Sequence, residues 1–333
     1  MAGFIKPLDS NGRILLRVDP AHAGMRLDSY LALRMPWRTR SSIQQLIRDG
    51  KVILGNRPAK VSRRVLAGDV IEVLLPPPKR DVDAGLAGPD LRVLYEDADL
   101  VAVDKPPGIP VHPAGRLLHR TIITALRRRY AVDAASSSDT PKLCHRLDLE
   151  TSGVLLVAKT DRALVGVSRQ FRERRTQKLY LALVYGELAQ DEGAIDYPIG
   201  KAVGSLVAKK RAVRLDVGQP ARTRYRVQRR LPGATLLEVE LLTGRHHQIR
   251  VHLAAIGHPV VGDKIYGPDE SYFLMDLEGT LTEQARRDLM LPRQALHSYR
   301  LALRHPRTDR ELEITAPLAQ DIAELVEQLA VNQ

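Results

Sequence analysis

The sequence predicts an α+β protein in two parts. Three observations predict it. Short apolar runs, rich in Val, Leu and Ile, come in pairs around tight turns, such as 91–97 with 100–104 and 222–230 with 235–242. Between them lie stretches whose apolar residues recur at helical spacing. A strongly basic first third is divided from the rest by Pro76-Pro77-Pro78. The chain of 333 residues is long enough for more than one domain. The divisions read as an extension (1–24), a small module (25–75), a linker rich in Pro, Gly, Asp and Ala (76–90) and a larger domain (91–331).

Residues 13–18 read as a strand. Leu27, Tyr30 and Leu31 then share a helical face that Pro36 ends. Thr39 or Ser41 caps a second helix, whose stripe is Ile43, Leu46 and Ile47 and whose stop is Gly50. Strands at 51–54 and 70–74 follow, separated by the Gly55-Asn56 and Gly68-Asp69 turns. From Arg34 to Arg64 there are nine basic residues (Arg34, Arg38, Arg40, Arg48, Lys51, Arg57, Lys60, Arg63 and Arg64) and one acid, Asp49, with Trp37 among them. Guanidinium forks suit phosphate oxygens and stack on bases, so this cluster is a candidate nucleic-acid-binding face, the alternative being a solvated basic face.

In the larger domain, Lys105 opens a loop stiffened by Pro106, Pro107, Pro110 and Pro113. Residues 121–130 read as a helix ending in Arg127-Arg128-Arg129, and 133–141 as a flexible loop. The polar nonapeptide His145-Arg146-Leu147-Asp148-Leu149-Glu150-Thr151-Ser152-Gly153 precedes a buried strand at 154–158, so it sits at the mouth of a sheet. Residues 161–175 are helical, with Leu164, Val167 and Phe171 on one face. The strand at 178–186 sets Lys178, Tyr180, Ala182 and Val184 on one side by alternation. After the pair 222–230 and 235–242, the chain runs Thr243-Gly244-Arg245-His246-His247-Gln248-Ile249-Arg250-Val251-His252-Leu253 into a helix with Ile249, Leu253 and Ile256 inward. A strand between Leu296-His297 and His305-Pro306 and a helix at 319–330 close the chain.

The nonapeptide resembles the catalytic motif of the RluA-type pseudouridine synthases: His-Arg-Leu-Asp, two variable residues, Thr-Ser-Gly. All seven fixed positions are present. The 243–253 stretch is similar to that family's Thr-Gly-Arg-x-His-Gln-Ile-Arg-x-His-Leu motif, with His246 at the variable position. The 105–112 loop and the Lys178-x-Tyr180-x-Ala182 strand also resemble family segments. Residues 25–75 look like an S4 RNA-binding module, although Leu54-Gly55-Asn56 departs from the usual Val-Asn-Gly turn.

The resemblance implies a synthase core of mixed, mainly antiparallel sheet with flanking helices, plus a small N-terminal α/β S4-like domain. It implies that Asp148 is the catalytic acid, as nucleophile or base toward the ribose. It implies that Arg245 is the active-site arginine that keeps an acid ionised, and that Tyr180 packs on the target uracil. His145 and Arg146 are expected to shape the site or contact RNA. Lys105, His112, His247 and Arg250 are weaker candidates for site structure or RNA contact. The reaction implied is isomerisation of uridine to its C5-glycoside in structured RNA, with large-subunit ribosomal RNA ahead of transfer RNA as the substrate.

Composition fits this reading. Lys and Arg exceed Asp and Glu by 51 − 39 = 12, which favours a polyanionic partner. The single cysteine, Cys144, excludes an intrachain disulfide framework and fits a reducing compartment, with cytoplasm the default. No apolar run approaches a membrane span, and residues 1–10 lack a secretory pattern. No phosphate-binding loop or dinucleotide fingerprint occurs, so no cofactor is expected. The four histidines of 246–258 lack metal-site spacing, so no metal is expected. A monomer is the default. Without the motifs, Asp148 reads as a turn-ordering side chain. Two other function classes stay open: a noncatalytic RNA-binding or ribosome-assembly factor of the same fold, and a hydrolase using Asp148 and Glu150.

Overall fold

The computed structural model describes residues 5–6, 13–35, 40–55, 57–74, 91–113, 120–130, 140–203, 205, 207, 209–278 and 280–331, in two compact units. Arg38, Trp37, Thr39, the linker at 76–90 and most of the loop at 133–141 lie outside the described residues.

The N-terminal unit is β1 (Ile5–Lys6), β2 (Arg13–Arg17), α1 (Leu27–Arg34), α2 (Arg40–Arg48), β3 (Val52–Leu54), β4 (Arg57–Pro58) and β5 (Val70–Leu74). Its antiparallel sheet runs β1-β2-β5-β3-β4. The expected stripes are buried: Leu27, Tyr30 and Leu31 of α1, and Ile43, Leu46 and Ile47 of α2. Ser41 lies inside α2 rather than capping it. Residues 13–18 are no extension. Arg13–Arg17 pairs with Val70–Leu74, and Leu16 and Val18 join the helices' core, because the sheet would otherwise leave an apolar edge open.

The second unit holds β6 (Val93–Glu96), β7 (Leu100–Lys105), α3 (Ile122–Tyr130), β8 (Lys142–Leu143), β9 (Ser152–Ala158), α4 (Asp161–Arg172), β10 (Gln177–Tyr185), β11 (Glu192–Asp196), β12 (Ile199–Lys201), β13 (Arg211–Val213), β14 (Arg222–Leu231), β15 (Ala234–Leu241), α5 (Gln248–Ala255), α6 (Ser271–Glu278), α7 (Glu283–Leu289), β16 (Leu296–Arg304), β17 (Glu311–Thr315) and α8 (Gln320–Val331). Its main sheet runs β11-β14-β15-β10-β16-β9-β7-β6, with β17 beside β16 and β8 beside β9. Among the described residues only β16 with β9 is parallel, so the sheet is mixed and mainly antiparallel, as expected.

All seven residues of β9 are buried because both its faces are covered. Leu155 and Val157 pack with α3 and α8, through Ile122, Leu126, Ile322 and Val326. Val154, Leu156 and Ala158 pack with Ala163 and Val167 of α4. That helix starts at Asp161, where the Thr160 hydroxyl accepts from the Ala163 amide. Helices α6 and α7 and the β12–β13 hairpin had no periodic signal in the sequence.

Gly153 joins β9 to the nonapeptide with φ +102°, and a Cβ there would stand 2.2 Å from the Ser298 carbonyl oxygen across the parallel pairing. Both the left-handed backbone and the close strand exclude a side chain. Gly153→Ala therefore lowers stability by about 2–4 kcal/mol, read by equilibrium urea unfolding, whereas Gly233→Ala, at a turn with open space, costs less.

Candidate active site

A cavity of ≈ 640 Å³ opens where the nonapeptide, the end of α4, β10 and the start of α5 meet. Asp148, Tyr180, Arg245, Arg146, His145, His246, His247 and Arg250 all line it. Sequence elements a hundred residues apart thus supply one pocket.

Asp148 is the carboxylate of this cavity, its side chain 20% exposed. Arg250 donates from one terminal nitrogen to Asp148 Oδ2 at 2.9 Å, and His247 Nε2 lies 3.7 Å from the same oxygen. The other face of the Arg250 fork binds Asp263 twice, at 2.6 and 2.8 Å. Asp263 is fully buried and also accepts from the Ile265 and Tyr266 amides at 2.9 and 3.1 Å. Burial works against the charge on Asp148. The adjacent Arg250 cation outweighs it and holds the carboxyl below its ordinary range. The same balance keeps Asp263 ionised and Arg250 charged.

This corrects one expectation. The arginine paired with Asp148 is Arg250, not Arg245. Arg250 sits on the first turn of α5, on the face turned to Asp148. Arg245 precedes the helix, and its Nε donates to the Pro220 carbonyl at 3.1 Å while it lines the cavity.

The Asp148 loop is fixed from beneath. Lys105 is fully buried and donates to the Pro106 and Leu149 carbonyls at 2.8 and 3.0 Å. Burial, with Arg293 nearby, pushes it down to about 7, against the pull of Asp148. Buried under the loop, Lys105 has no open path to RNA, contrary to the expectation. Arg293 donates to the Glu150 carbonyl at 3.1 Å and clasps Asp321 at 2.6 Å. Lys264 pairs with the Glu150 carboxylate at 2.5 Å, and the Gln294 amide donates to the Thr151 hydroxyl at 2.7 Å. The Ser152 hydroxyl stands 3.0 Å from His297 Nδ1. The residues that resemble a catalytic motif are therefore mostly anchors for a single side chain.

The second motif is organised around Gln248, which is buried and uses all four of its hydrogen-bonding positions. Its oxygen accepts from the Thr243 hydroxyl and the Arg245 amide, and its nitrogen donates to the Arg222 carbonyl and the Thr223 hydroxyl, all at 2.7–2.9 Å. His252 continues the chain between the Thr223 hydroxyl and the Tyr197 carbonyl, each at 2.9 Å. His247 caps α5 in the left-handed region at φ +59°, a strained position that the surrounding bonds fix.

Tyr180 reaches the cavity beside Asp148, where the register of β10 against β16 shifts between Leu179 and Tyr180. Burial pushes its phenol up to about 12, so it stays protonated near neutral pH. His145 turns inward: its Nε2 accepts from the Leu156 amide at 3.0 Å, its ring lies 5.4 Å from Phe171, and burial pushes it down to about 4. A neutral ring fixed this way braces the motif rather than binding phosphate as a cation. Arg146 is exposed at the rim, and Arg172, Arg174 and Lys178 line the same cavity. Those three lay in a stretch read only as helix and strand, and their clustering at a helix end was the missed signal. His112 is half-buried, and burial with Arg146 nearby lowers its pKa.

In the N-terminal unit, Arg48, Lys51, Arg57, Lys60, Arg63 and Arg64 are exposed. Arg34 and Arg40 are partly committed to structure, pairing with Asp19 and with the fully buried Asp28. Arg64 donates to the Gly24 carbonyl at 2.7 Å.

Asp148, His246 and His247 bring ligand-type atoms within 4.8 Å of one another, as do Asp97, Asp99 and His305. Neither set suits a cation. Arg250 already bonds Asp148, and Arg307 takes Asp99 at 2.5 Å.

Known proteins are similar to this chain along most of its length. Residues 99–255 match the family model of RNA pseudouridylate synthase, and residues 25–71 match that of the S4 domain. The ribosomal large subunit pseudouridine synthase D of Nitrosomonas europaea is 37% identical over 96% of this chain and 88% of its own length. The uncharacterized RNA pseudouridine synthase YlyB of Bacillus subtilis is 37% identical, over 92% of this chain and 95% of its own. The solved structure of human RNA pseudouridylate synthase domain containing 4 superposes with a TM-score of 0.56 at 28% identity, covering 72% of this chain and 92% of that one.

Arg250→Met strips the buried Asp263 of its counter-charge, and a loss of about 3–5 kcal/mol is expected in urea unfolding at pH 7. Lys105 gives a pH test. Its folded value near 7 lies below the ordinary lysine value, so between pH 7 and 9 the unfolded chain binds a proton that the folded chain does not. Its contribution therefore makes stability rise with pH over that window. Lys105→Met removes the rise, read as parent-minus-variant unfolding midpoints that diverge steadily from pH 7 to 9.

Proposed function

Because the chain belongs to the RNA pseudouridylate synthase family, we propose that it isomerises uridines of large-subunit ribosomal RNA with Asp148 as its catalytic residue. The observation that carries this reading is an ionised Asp148 in an open cavity, its charge fixed by an arginine that a second, buried aspartate locks in place. The substrate choice rests on the likeness to the Nitrosomonas large-subunit synthase and on the S4 match, with exposed Arg48, Lys51, Arg57, Lys60 and Arg63 supplying phosphate contacts that position RNA. In this reading the enzyme acts as a cytoplasmic monomer.

The reaction detaches uracil from ribose C1′, turns it and rejoins it through C5. Atoms balance without oxidant, water or cofactor, since the C5 proton lost is matched by the N1 proton gained. The target base must leave its stack to reach the cavity. Asp148, ionised at neutral pH, addresses the ribose as nucleophile or base. Tyr180 presents a neutral phenol to the base. Arg146 and Arg245 at the cavity wall meet the flanking phosphates, and Arg250 keeps Asp148 charged and aimed.

The test is tritium release from RNA carrying [5-³H]uridine. The parent is expected to release tritium from large-subunit ribosomal RNA, and Asp148→Asn to release none. Equal release by both proteins would remove Asp148 from the chemistry. Release from transfer RNA alone would overturn the substrate.

A further inference from the structure

His246 and His247 stack in the cavity wall with ring centroids 3.9 Å apart. One residue of the β12–β13 hairpin governs both. Arg211 donates its Nε–H to His246 Nδ1 at 3.3 Å. Its backbone N–H donates to the Tyr266 hydroxyl at 2.8 Å, and that hydroxyl stands 2.8 Å from His247 Nδ1.

These contacts have a direction. A guanidinium only donates and keeps its protons, so His246 Nδ1 accepts. In a neutral imidazole the proton is then on Nε2. The Tyr266 oxygen receives the Arg211 amide proton, and among the described residues His247 Nδ1 is the acceptor in reach of its own hydroxyl proton. His247 Nε2 then carries hydrogen toward Asp148 Oδ2, 3.7 Å away. Burial lowers the pKa of both rings. For His246 the cations of Arg146, Arg211 and Arg250 act with burial against the opposing pull of Asp148. For His247 burial and Arg250 prevail over Asp148 and Asp263 and leave it at about 3.

Two neutral rings with outward N–H groups flank the carboxylate proposed to act at the ribose. When the C1′–N1 bond breaks, its electron pair passes to the base and spreads over N1 and the two carbonyl oxygens. A fixed neutral donor stabilises that charge, whereas an imidazolium would pair with Asp148 and quench it. His246 brings a ring nitrogen within 4.8 Å of the Asp148 carboxylate, the spacing of two groups that address neighbouring parts of one nucleotide.

We propose that Arg211 is a positioning residue that fixes both histidines as Nε2–H tautomers, and that His246 donates this N–H to a uracil carbonyl during glycosidic cleavage. The donor role rests on Asp148 acting at the ribose; the tautomers do not.

Two measurements on the full chain test it. Long-range ¹H–¹⁵N spectra of the free protein should show protonated Nε2 and unprotonated Nδ1 for both rings, and Arg211→Met should abolish the single His246 tautomer. Nδ1–H rings in the parent would overturn the proposal. Single-turnover rates on RNA come second. His246→Leu is expected to lose about 10²-fold in rate with RNA affinity changed less than about threefold, and His246→Gln, which keeps a neutral donor, about tenfold less. Arg211→Met should slow the parent but add nothing to His246→Leu. Fully additive losses, or losses confined to RNA affinity, would make Arg211 and His246 ordinary RNA contacts and overturn the donor role. Full activity of Asp148→Asn would remove the ribose reading while the tautomer result stood.

Discussion

The chain Asp263–Arg250–Asp148 is the interaction on which the site depends. A buried arginine is costly unless both edges of its guanidinium are matched, and here Asp263 takes one edge in a bidentate pair while Asp148 takes the remaining terminal nitrogen. The geometry is asymmetric. Asp263 is fully buried and braced by two backbone amides, so it fixes the arginine; Asp148 remains partly open to the cavity and receives the arginine's charge. A carboxylate that must stay ionised inside a low-dielectric pocket needs such a partner, and a partner that cannot swing away needs its own anchor.

A second group of buried cations serves the backbone rather than the carboxylate. Lys105, Arg293 and Lys264 end on the carbonyls and side chain of residues 149–150, directly after Asp148. Lys105 shares the Leu149 carbonyl with the Gly108 amide, Lys264 shares the Glu150 carboxylate with the Gln294 amide, and Arg293 takes the Glu150 carbonyl. Irregular backbone thus becomes as rigid as a strand, which is what placing one carboxylate to within a fraction of an ångström requires.

Much of this was legible in the sequence. The branched apolar run at 154–158 gave a buried strand, and the two motifs with the strand at 178–186 brought Asp148, Tyr180, Arg245 and Arg250 to one cavity. What pattern could not decide was direction. Arg245 and Arg250 lie five positions apart, and only the start of α5 at Gln248 determines which one turns to Asp148. For Lys105 and His145 the sequence left two roles open, shaping the site or contacting RNA. They are internal because carbonyls or an amide from distant segments meet them. Asp263 and Tyr266 continue the second motif without a role that the pattern could assign, and Arg211 carried no signal of its own, since its role exists only through partners elsewhere in the chain. Buried Asp28 in the small unit is a further case, hidden among the cations that surround it.

The parallel seam between β9 and β16 joins Ser152 and Gly153 to His297 and Ser298, residues separated by some 145 positions. On the ribosome the chain emerges from its N-terminus, so the Asp148 loop is exposed to the cell long before its clamp at 293–298 exists. Until that clamp arrives the Glu150 carbonyl lacks Arg293 and β9 lacks its parallel neighbour. The basic N-terminal unit is therefore synthesised in full well before the segments that close the cavity: synthesis itself sets the order in which the two units can be completed.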